Sequence, residues 1–375
     1  VNVSELDVDF SPRGIDLTSF PYNAWRKVTR ATLMDDDKEM FLTGSPQGEP
    51  GLREAIRGYL HSARGVNCTA DQIIIGAGSE YLMMLLTQIL GTSRTIAMEN
   101  PTYRQAYRVF ESLGCQMKPV EMDAHGMNVR LLEESGADIA YVMPSHQYPM
   151  GVVMPVKRRQ ELLSWAGRGE KRYLIEDDYD SEFRYRGKPV PALQGMDIQG
   201  KVIYMGTFSK SIAPAIRVGY LVLPAPLLAV YKRKCGFYAS TVSRIDQKII
   251  YQFLTEGHYE RHLNRMRAIY KGKHDMLMSE LKTLGTEFIV QGEYAGLHVL
   301  LKYRKADMET WLVEEAAKAR VGVYGISGFL IAPLADQKEK CFSTVVLGYA
   351  RLNEDQIREG IRRLAAAWKC SRPCP

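Results

Sequence analysis

From about residue 70 to residue 223 the chain alternates between short apolar runs and longer amphipathic ones. Gln72–Ala77 reads as a strand and Ser79–Leu90 as a helix. Thr95–Met98 and Arg104–Leu113 repeat the pair, and Met117–Glu121 is a further strand. Ile139–Met143 is a strand, Arg158–Trp165 a helix, and Tyr173–Glu176, Lys201–Met205 and Val218–Leu223 are strands. Most of these strands are continuously apolar rather than apolar on every second residue, so both of their faces must be buried. Such a pattern predicts an α/β fold with a mostly parallel sheet between layers of helices.

After Leu223 the periodicity is helical and breaks near Gly257, and from Gly285 the texture changes. Glu287–Val290, Gly296–Leu301 and Thr344–Tyr349 are strand-like, with helices at Ala306–Ala319 and Glu354–Trp368. This predicts a large domain over residues 36–284 and a smaller α+β domain from residues 285–375 joined by 1–35. The first forty residues read as loop-rich, punctuated by Pro12, Gly14 and Pro21. A chain of 375 residues can bury a large core. Its formal charge of +6 is spread among mixed signs, which gives no case for direct contact with nucleic acid or a membrane. No apolar run approaches the roughly 20 residues of a membrane helix. The six cysteines are scattered, Cys370 and Cys374 falling in a Pro-rich tail that reads as a frayed end. Their pattern suits reduced thiols in a cytoplasmic setting and no metal site. The sequence does not begin with Met, which suggests a segment of a longer protein.

Two strand ends carry chemistry. Val202–Gly206 runs into Thr207-Phe208-Ser209-Lys210, with Arg217 one short loop later. A lysine between hydroxyls and near an arginine suits a Schiff base to an aldehyde cofactor whose phosphate the neighbours hold. Taken alone, a surface lysine in a polar loop is the commoner outcome. The apolar run Tyr173–Ile175 supplies the second observation, because it ends in Glu176-Asp177-Asp178. Open α/β sheets place ligand groups at such ends, and pyridoxal phosphate needs an anionic partner for its ring nitrogen. Asp177 adjoins the strand and suits that role; a solvated acidic loop is a fair reading of Asp178, Asp180 and Glu182.

Weaker signals surround these. Gly76-Ala77-Gly78-Ser79-Glu80 turns from strand to helix, a ready anion site or a plain turn; as a dinucleotide fingerprint it lacks the third glycine. Tyr103 could stack on a pyridine ring, although core packing is the usual fate of a lone tyrosine. His258 and His262 stand at metal-like spacing, but Tyr259-Glu260-Arg261 between them favours a solvated helix face. Arg351, after the strand Thr344–Tyr349, could fork onto a carboxylate or be an ordinary strand-end arginine.

Together these residues resemble the fold-type I pyridoxal-phosphate aminotransferases of class I/II. Within them the chain is most similar to the C-terminal domain of MocR-type regulators of the GntR superfamily. The resemblance runs essentially end to end. It is carried by Pro46-Gln47-Gly48, Ile75–Gly78, Pro144-Ser145-His146-Gln147-Tyr148-Pro149, Glu176–Phe183, Gly206–Lys210 and Tyr349–Leu352. It implies that Lys210 forms the internal aldimine and, with an amino acid, gives way to an external one. By the same resemblance Asp177 pairs with the pyridinium nitrogen, Tyr103 stacks on the ring and Tyr179 touches the phenolic oxygen. Gly78, Ser79, the backbone of Glu80, Thr207, Ser209 and Arg217 cradle the phosphate, and Arg351 takes the substrate carboxylate. Tyr148 stands where working aminotransferases commonly carry Asn, and Asp180 where the cofactor-facing tyrosine often lies.

Two functions follow from the resemblance. One is an amino-acid sensor that reports to an N-terminal DNA-binding domain outside this chain; the Tyr148 replacement favours it. The other is a free-standing aminotransferase acting on an amino acid and a 2-oxo acid. Both imply a homodimer.

Overall fold

The structure, a computed structural model, describes residues 6–34, 38–185, 190–334 and 342–370. Cys341, Cys374 and the expected boundary at 35/36 lie outside them.

The largest sheet has eight strands. Across it they run Ile73–Gly76, Gly219–Val222, Val202–Thr207, Tyr173–Asp178, Ile139–Val142, Thr95–Asn100, Gln116–Asp123 and Gly126–Met127. The five strands from Val202–Thr207 to Gln116–Asp123 are mutually parallel. Gly219–Val222 is antiparallel to both of its neighbours. Alternate residues of each strand serve two different cores, as the pleat requires. Ile74, Met98, Tyr141, Ile175 and Ile203 pack with Leu82, Leu86 and Phe110, under the helices Ser79–Leu90 and Arg104–Ser112. Their neighbours Ala97, Ala140, Leu174 and Val202 face Leu162 and Trp165 of the helix Val156–Gly167. Uniformly apolar strands are thus explained: each face is covered.

The helix Pro50–Arg64 escaped the sequence reading, yet it is well specified. Leu52, Ile56 and Leu60 form a buried stripe at four-residue spacing. Gly65, at φ 66°, ends the helix by donating to the carbonyls of His61 and Leu60.

A second sheet of four antiparallel strands is ordered Phe288–Gln291, His298–Tyr303, Thr344–Gly348, Tyr324–Gly325. The helices Glu309–Lys318 and Glu354–Cys370 bury Leu312, Ile357 and Leu364 in the core under it. The start of the chain is tied here, because Val8–Asp9 pairs in parallel with Val321–Gly322. The 24-residue helix His258–Leu281 contributes Leu263 to the core of the large sheet and Leu277 to that of the small one.

Two expectations are corrected. The first forty residues are less loop-rich than expected, since Tyr22–Met34 is a helix. Its partner decides this: Trp25 meets Phe253 edge-on at 5.5 Å, and Thr32 donates to Gln252 Oε1 at 2.7 Å. Local composition carried little sign of that docking. Nor do His258 and His262 share a solvated face, because His262 is buried with Nε2 2.9 Å from the carbonyl of Ser211.

Candidate active site

Because the central strands are parallel, their carboxyl ends open on one edge of the sheet, where a ligand crevice is expected. A cavity of about 300 Å³ lies there. It is lined by Tyr103, Tyr148, Asp177, Tyr179 and Lys210, with Ser79, Glu80, Thr207, Ser209 and Arg217 at its other end. Segments far apart in sequence have been brought into one site.

At that second end the backbone is shaped for an anion. Gly78, at φ 87°, precedes the helix Ser79–Leu90, whose first N–H groups and positive dipole end face the cavity. A Cβ on Gly78 would overlap the Arg217 guanidinium, which would have to move from its place, and the left-handed φ itself favours glycine. Arg217 itself sits at φ 52°, a left-handed conformation unusual for its type, and pairs with the carboxylate of Glu80. Thr207 Oγ1 lies 2.9 Å from Ser209 Oγ and accepts from the Ser209 N–H at 3.1 Å. Hydroxyls, free amides and a guanidinium therefore converge at one place.

The opposite end holds the titratable groups. Strand alternation separates the acids of Tyr173–Asp178. Glu176 turns to the far face, where it accepts from the N–H groups of Leu193 and Gln194 at 2.7 and 2.8 Å. Asp178 shares that face and meets Arg64 at 2.7 Å. Asp177 alone points to the cavity. The Tyr141 hydroxyl donates to its carboxylate, and burial pushes the carboxyl up to about 7. Such a group awaits a cation, which would return it to the ionised form. Burial pushes the Lys210 amine down to about 8, and its Nζ donates to the carbonyls of Pro12 and Arg13 at 3.4 and 3.0 Å. At one pH unit below that value about one-tenth of such an amine is neutral, far more than of an ordinary lysine at about 10.4, and the neutral form is the nucleophile. Tyr103 and Tyr148 meet edge to face at 5.9 Å.

The reading of Asp178, Asp180 and Glu182 as a solvated loop is corrected. Asp178 and Asp180 are buried, and the Glu182 carboxylate accepts from the Tyr59 hydroxyl at 3.2 Å. Arg351 stands apart from the cavity lining: its Nη1 lies 3.1 Å from Asp9 Oδ2 and its side chain is half exposed. Arg13, which sequence reasoning missed, lines the cavity. Nothing local marked it, since the N-terminal segment reaches the site only through its pairing with the small sheet's side of the molecule.

The family profile described as aminotransferase class I and II matches residues 16–364. The chain belongs to the class I and II aminotransferase family. Among curated members of this family's regulatory branch, it is 39% identical over 363 residues to the uncharacterized HTH-type transcriptional regulator YdeL of Bacillus subtilis. That match covers 96% of this chain and 77% of the relative. It is 30% identical over 365 residues to the probable rhizopine catabolism regulatory protein MocR of Rhizobium meliloti, covering 96% and 72%. Its fold matches the crystal structure of the multiple substrate aminotransferase from Thermococcus profundus with a TM-score of 0.85 and 25% identity, over 98% of this chain and 92% of that one. The cofactor of these aminotransferases is pyridoxal phosphate. The cavity suits it: an anion cup at one end, and at the other an amine of lowered pKa and a buried carboxyl that has no cationic partner among the described residues.

Proposed function

We propose that this aminotransferase-like domain binds pyridoxal phosphate covalently through Lys210 and detects an amino acid on behalf of a MocR-type transcriptional regulator. The observation that supports it most is the facing of Lys210 and Asp177 across one cavity whose far end is built for an anion. When bound, the cofactor would supply an aldehyde that condenses with an amino group, releasing water, and an electron-withdrawing ring that acidifies the Cα–H beside it.

The chain's own residues then have defined tasks. Lys210 Nζ attacks as the neutral amine and afterwards can hold the proton taken from the amino acid's Cα. Asp177 carries the negative charge that keeps a ring nitrogen protonated. Tyr103 covers one face of the ring, and the Tyr179 hydroxyl donates toward the ring oxygen. The backbone at Gly78, Ser79 and Glu80, the hydroxyls of Ser79, Thr207 and Ser209, and the Arg217 guanidinium hold the phosphate. Arg351 takes the amino acid's carboxylate, exchanging Asp9 for it. Tyr148 replaces the usual Asn with a phenol whose oxygen has no hydrogen-bond partner among the described residues, which favours recognition over turnover. In this reading residues 36–284 form the cofactor-binding domain and 1–35 with 285–375 the smaller one. In the same reading the protein is a cytoplasmic homodimer and contact with DNA belongs to a separate N-terminal domain; the name of the relative YdeL, an HTH-type transcriptional regulator, supports a link to transcription.

A free-standing aminotransferase is the second reading, favoured by the likeness to the T. profundus enzyme. An absorbance titration of the cofactor-loaded protein with each amino acid in turn separates them. A shifted visible band with no 2-oxo acid released supports the sensor. Stoichiometric 2-oxo acid, with turnover on a second 2-oxo acid, supports the enzyme. Lys210→Ala should lose borohydride-reducible cofactor while keeping its fold; retention of it would show that the attachment site is misassigned.

A further inference from the structure

His146 is buried, 1% exposed, in the loop after the strand Ile139–Val142, and none of the assignments above uses it. Its Nδ1 lies 3.0 Å from the Tyr179 hydroxyl and 2.9 Å from Asp180 Oδ2. Tyr179 lines the cofactor cavity, whereas His146 and Asp180 lie behind it. Room for the imidazole is reserved from the far side. Gly296, at φ 76° just before the strand His298–Tyr303, would overlap the ring if it carried a Cβ. His298, 4.9 Å away ring to ring, has Nε2 2.8 Å from the carbonyl of Pro149 and is kept neutral by burial, so it does not compete as a charge.

The other ring nitrogen has a different outlook. Nε2 of His146 has no hydrogen-bond partner among the described residues, and neither do Asp180 Oδ1, Glu182 Oε2 and Arg184 Nε. All four residues line a second cavity of about 270 Å³, together with Arg64 and Arg267. A chamber of this polarity and size has room for water, the usual partner of polar atoms buried this deeply. His146 therefore stands between a polar chamber and the phenol that faces the cofactor site.

We infer that His146, oriented by Asp180, is a positioning residue that aims the Tyr179 hydroxyl at the cofactor's ring oxygen. With its proton on Nδ1 the imidazole donates to the phenol oxygen and the Asp180 carboxylate together. With the Nδ1 proton engaging the Asp180 carboxylate, the phenol's own proton, which has the same carboxylate within reach, is released to point into the cavity. Asp180 occupies the place where the family often has its tyrosine, so the His146–Asp180 pair makes Tyr179, one residue earlier, serviceable in its stead. This rests on the assignment of Tyr179 to the cofactor pocket.

A donor to the ring oxygen stabilises the form in which that oxygen is charged, so weakening the donor raises the pH at which the bound cofactor's visible band titrates. His146→Ala and His146→Ser, either of which carries the test, should raise that midpoint by about one pH unit, a tenfold change in the equilibrium. His146→Asn keeps an N–H near the Nδ1 place and should restore the midpoint. In a Tyr179→Phe background the same His146 changes should move nothing further, because the effect runs through the phenol. A midpoint unchanged in His146→Ala or His146→Ser, with the band intact, overturns the inference. An equal shift with Tyr179 already removed does so too. Absence of any lysine-linked band in the unsubstituted protein would instead overturn the cofactor reading on which this stands.

Discussion

Arg64, the last residue of the helix Pro50–Arg64, donates Nε to Asp178 Oδ2 at 2.7 Å, with both side chains buried. The same guanidinium reaches Ser145 Oγ at 2.6 Å and the Val190 carbonyl at 3.1 Å. One side chain thereby ties the helix, the loop bearing His146 and Tyr148, and the end of the strand that presents Asp177. Burial alone would raise the Asp178 carboxyl, but the Arg64 charge and the Tyr204 hydroxyl hold it below the usual range. Its contribution to stability is thus present above the unfolded carboxyl value of about 3.9 and is lost as pH falls below it. Arg64→Met should cost about 3–5 kcal/mol by stranding a buried carboxylate, and adding Asp178→Asn should return part of that loss. Urea denaturation at neutral pH measures both; a loss below 1 kcal/mol, roughly the worth of an exposed pair, would show that the pair is not buried in solution.

Lys210 yields a kinetic expectation. Its amine is pushed down to about 8 by burial, and only the neutral form attacks an aldehyde. The rate of cofactor attachment should rise roughly tenfold per pH unit below that value and level off above it. Stopped-flow absorbance after mixing apo-protein with pyridoxal phosphate reads this directly. A rate still climbing steeply to pH 10 would mean an ordinary, solvated lysine.

Gly78 and Gly91 flank the same helix, Ser79–Leu90, at φ 87° and 92°. Alanine at either is strained, costing on the order of 1 kcal/mol of stability. Only at Gly78 would the new methyl meet the Arg217 guanidinium, while Gly91 faces open space. Gly78→Ala should therefore weaken pyridoxal phosphate binding tenfold or more, a loss of about 1.4 kcal/mol, and Gly91→Ala should leave affinity unchanged. Equal affinities in a fluorescence titration of the two variants would remove the anion cup from this turn.

Tyr148 is the clearest departure from a working aminotransferase. Its phenol oxygen is buried without a hydrogen-bond partner among the described residues. Tyr148→Asn should speed the single-turnover release of 2-oxo acid by roughly ten- to a hundredfold, the worth of about 1–3 kcal/mol of regained hydrogen bond. A rate unchanged or lower in rapid-quench measurements would mean that Tyr148 is not what holds turnover down.

Much of the site was legible because its parts are local. Ser79–Leu90 begins and ends where the pattern put it, since a glycine stands at each end of an apolar stretch. Thr207 ends, and Ser209 and Lys210 follow, a strand whose other residues are buried on both faces. The helix Tyr22–Met34 was not legible, because what stabilises it is Phe253 and Gln252, more than two hundred residues away. Arg13 and His146 were missed for the same reason. Arg13 stands in no sequence pattern, and His146 lies inside the segment Pro144–Pro149 without a chemical partner beside it in sequence; each acquires its role only from the group it is folded against.

The sequence by itself determined the parallel sheet, the strand ends that carry Asp177 and Lys210, and the glycine turn beside them, because periodicity and chain direction fix which residues share an edge. Tertiary structure alone decided which acid is available. Glu176 and Asp178 are turned to backbone amides and to Arg64, leaving Asp177 at the cavity. It also decided that Asp180 lies buried against His146. The free energy of a buried charge depends on the partners packed around it, and those partners come from helices and loops that the order of residues does not bring together until the chain has folded.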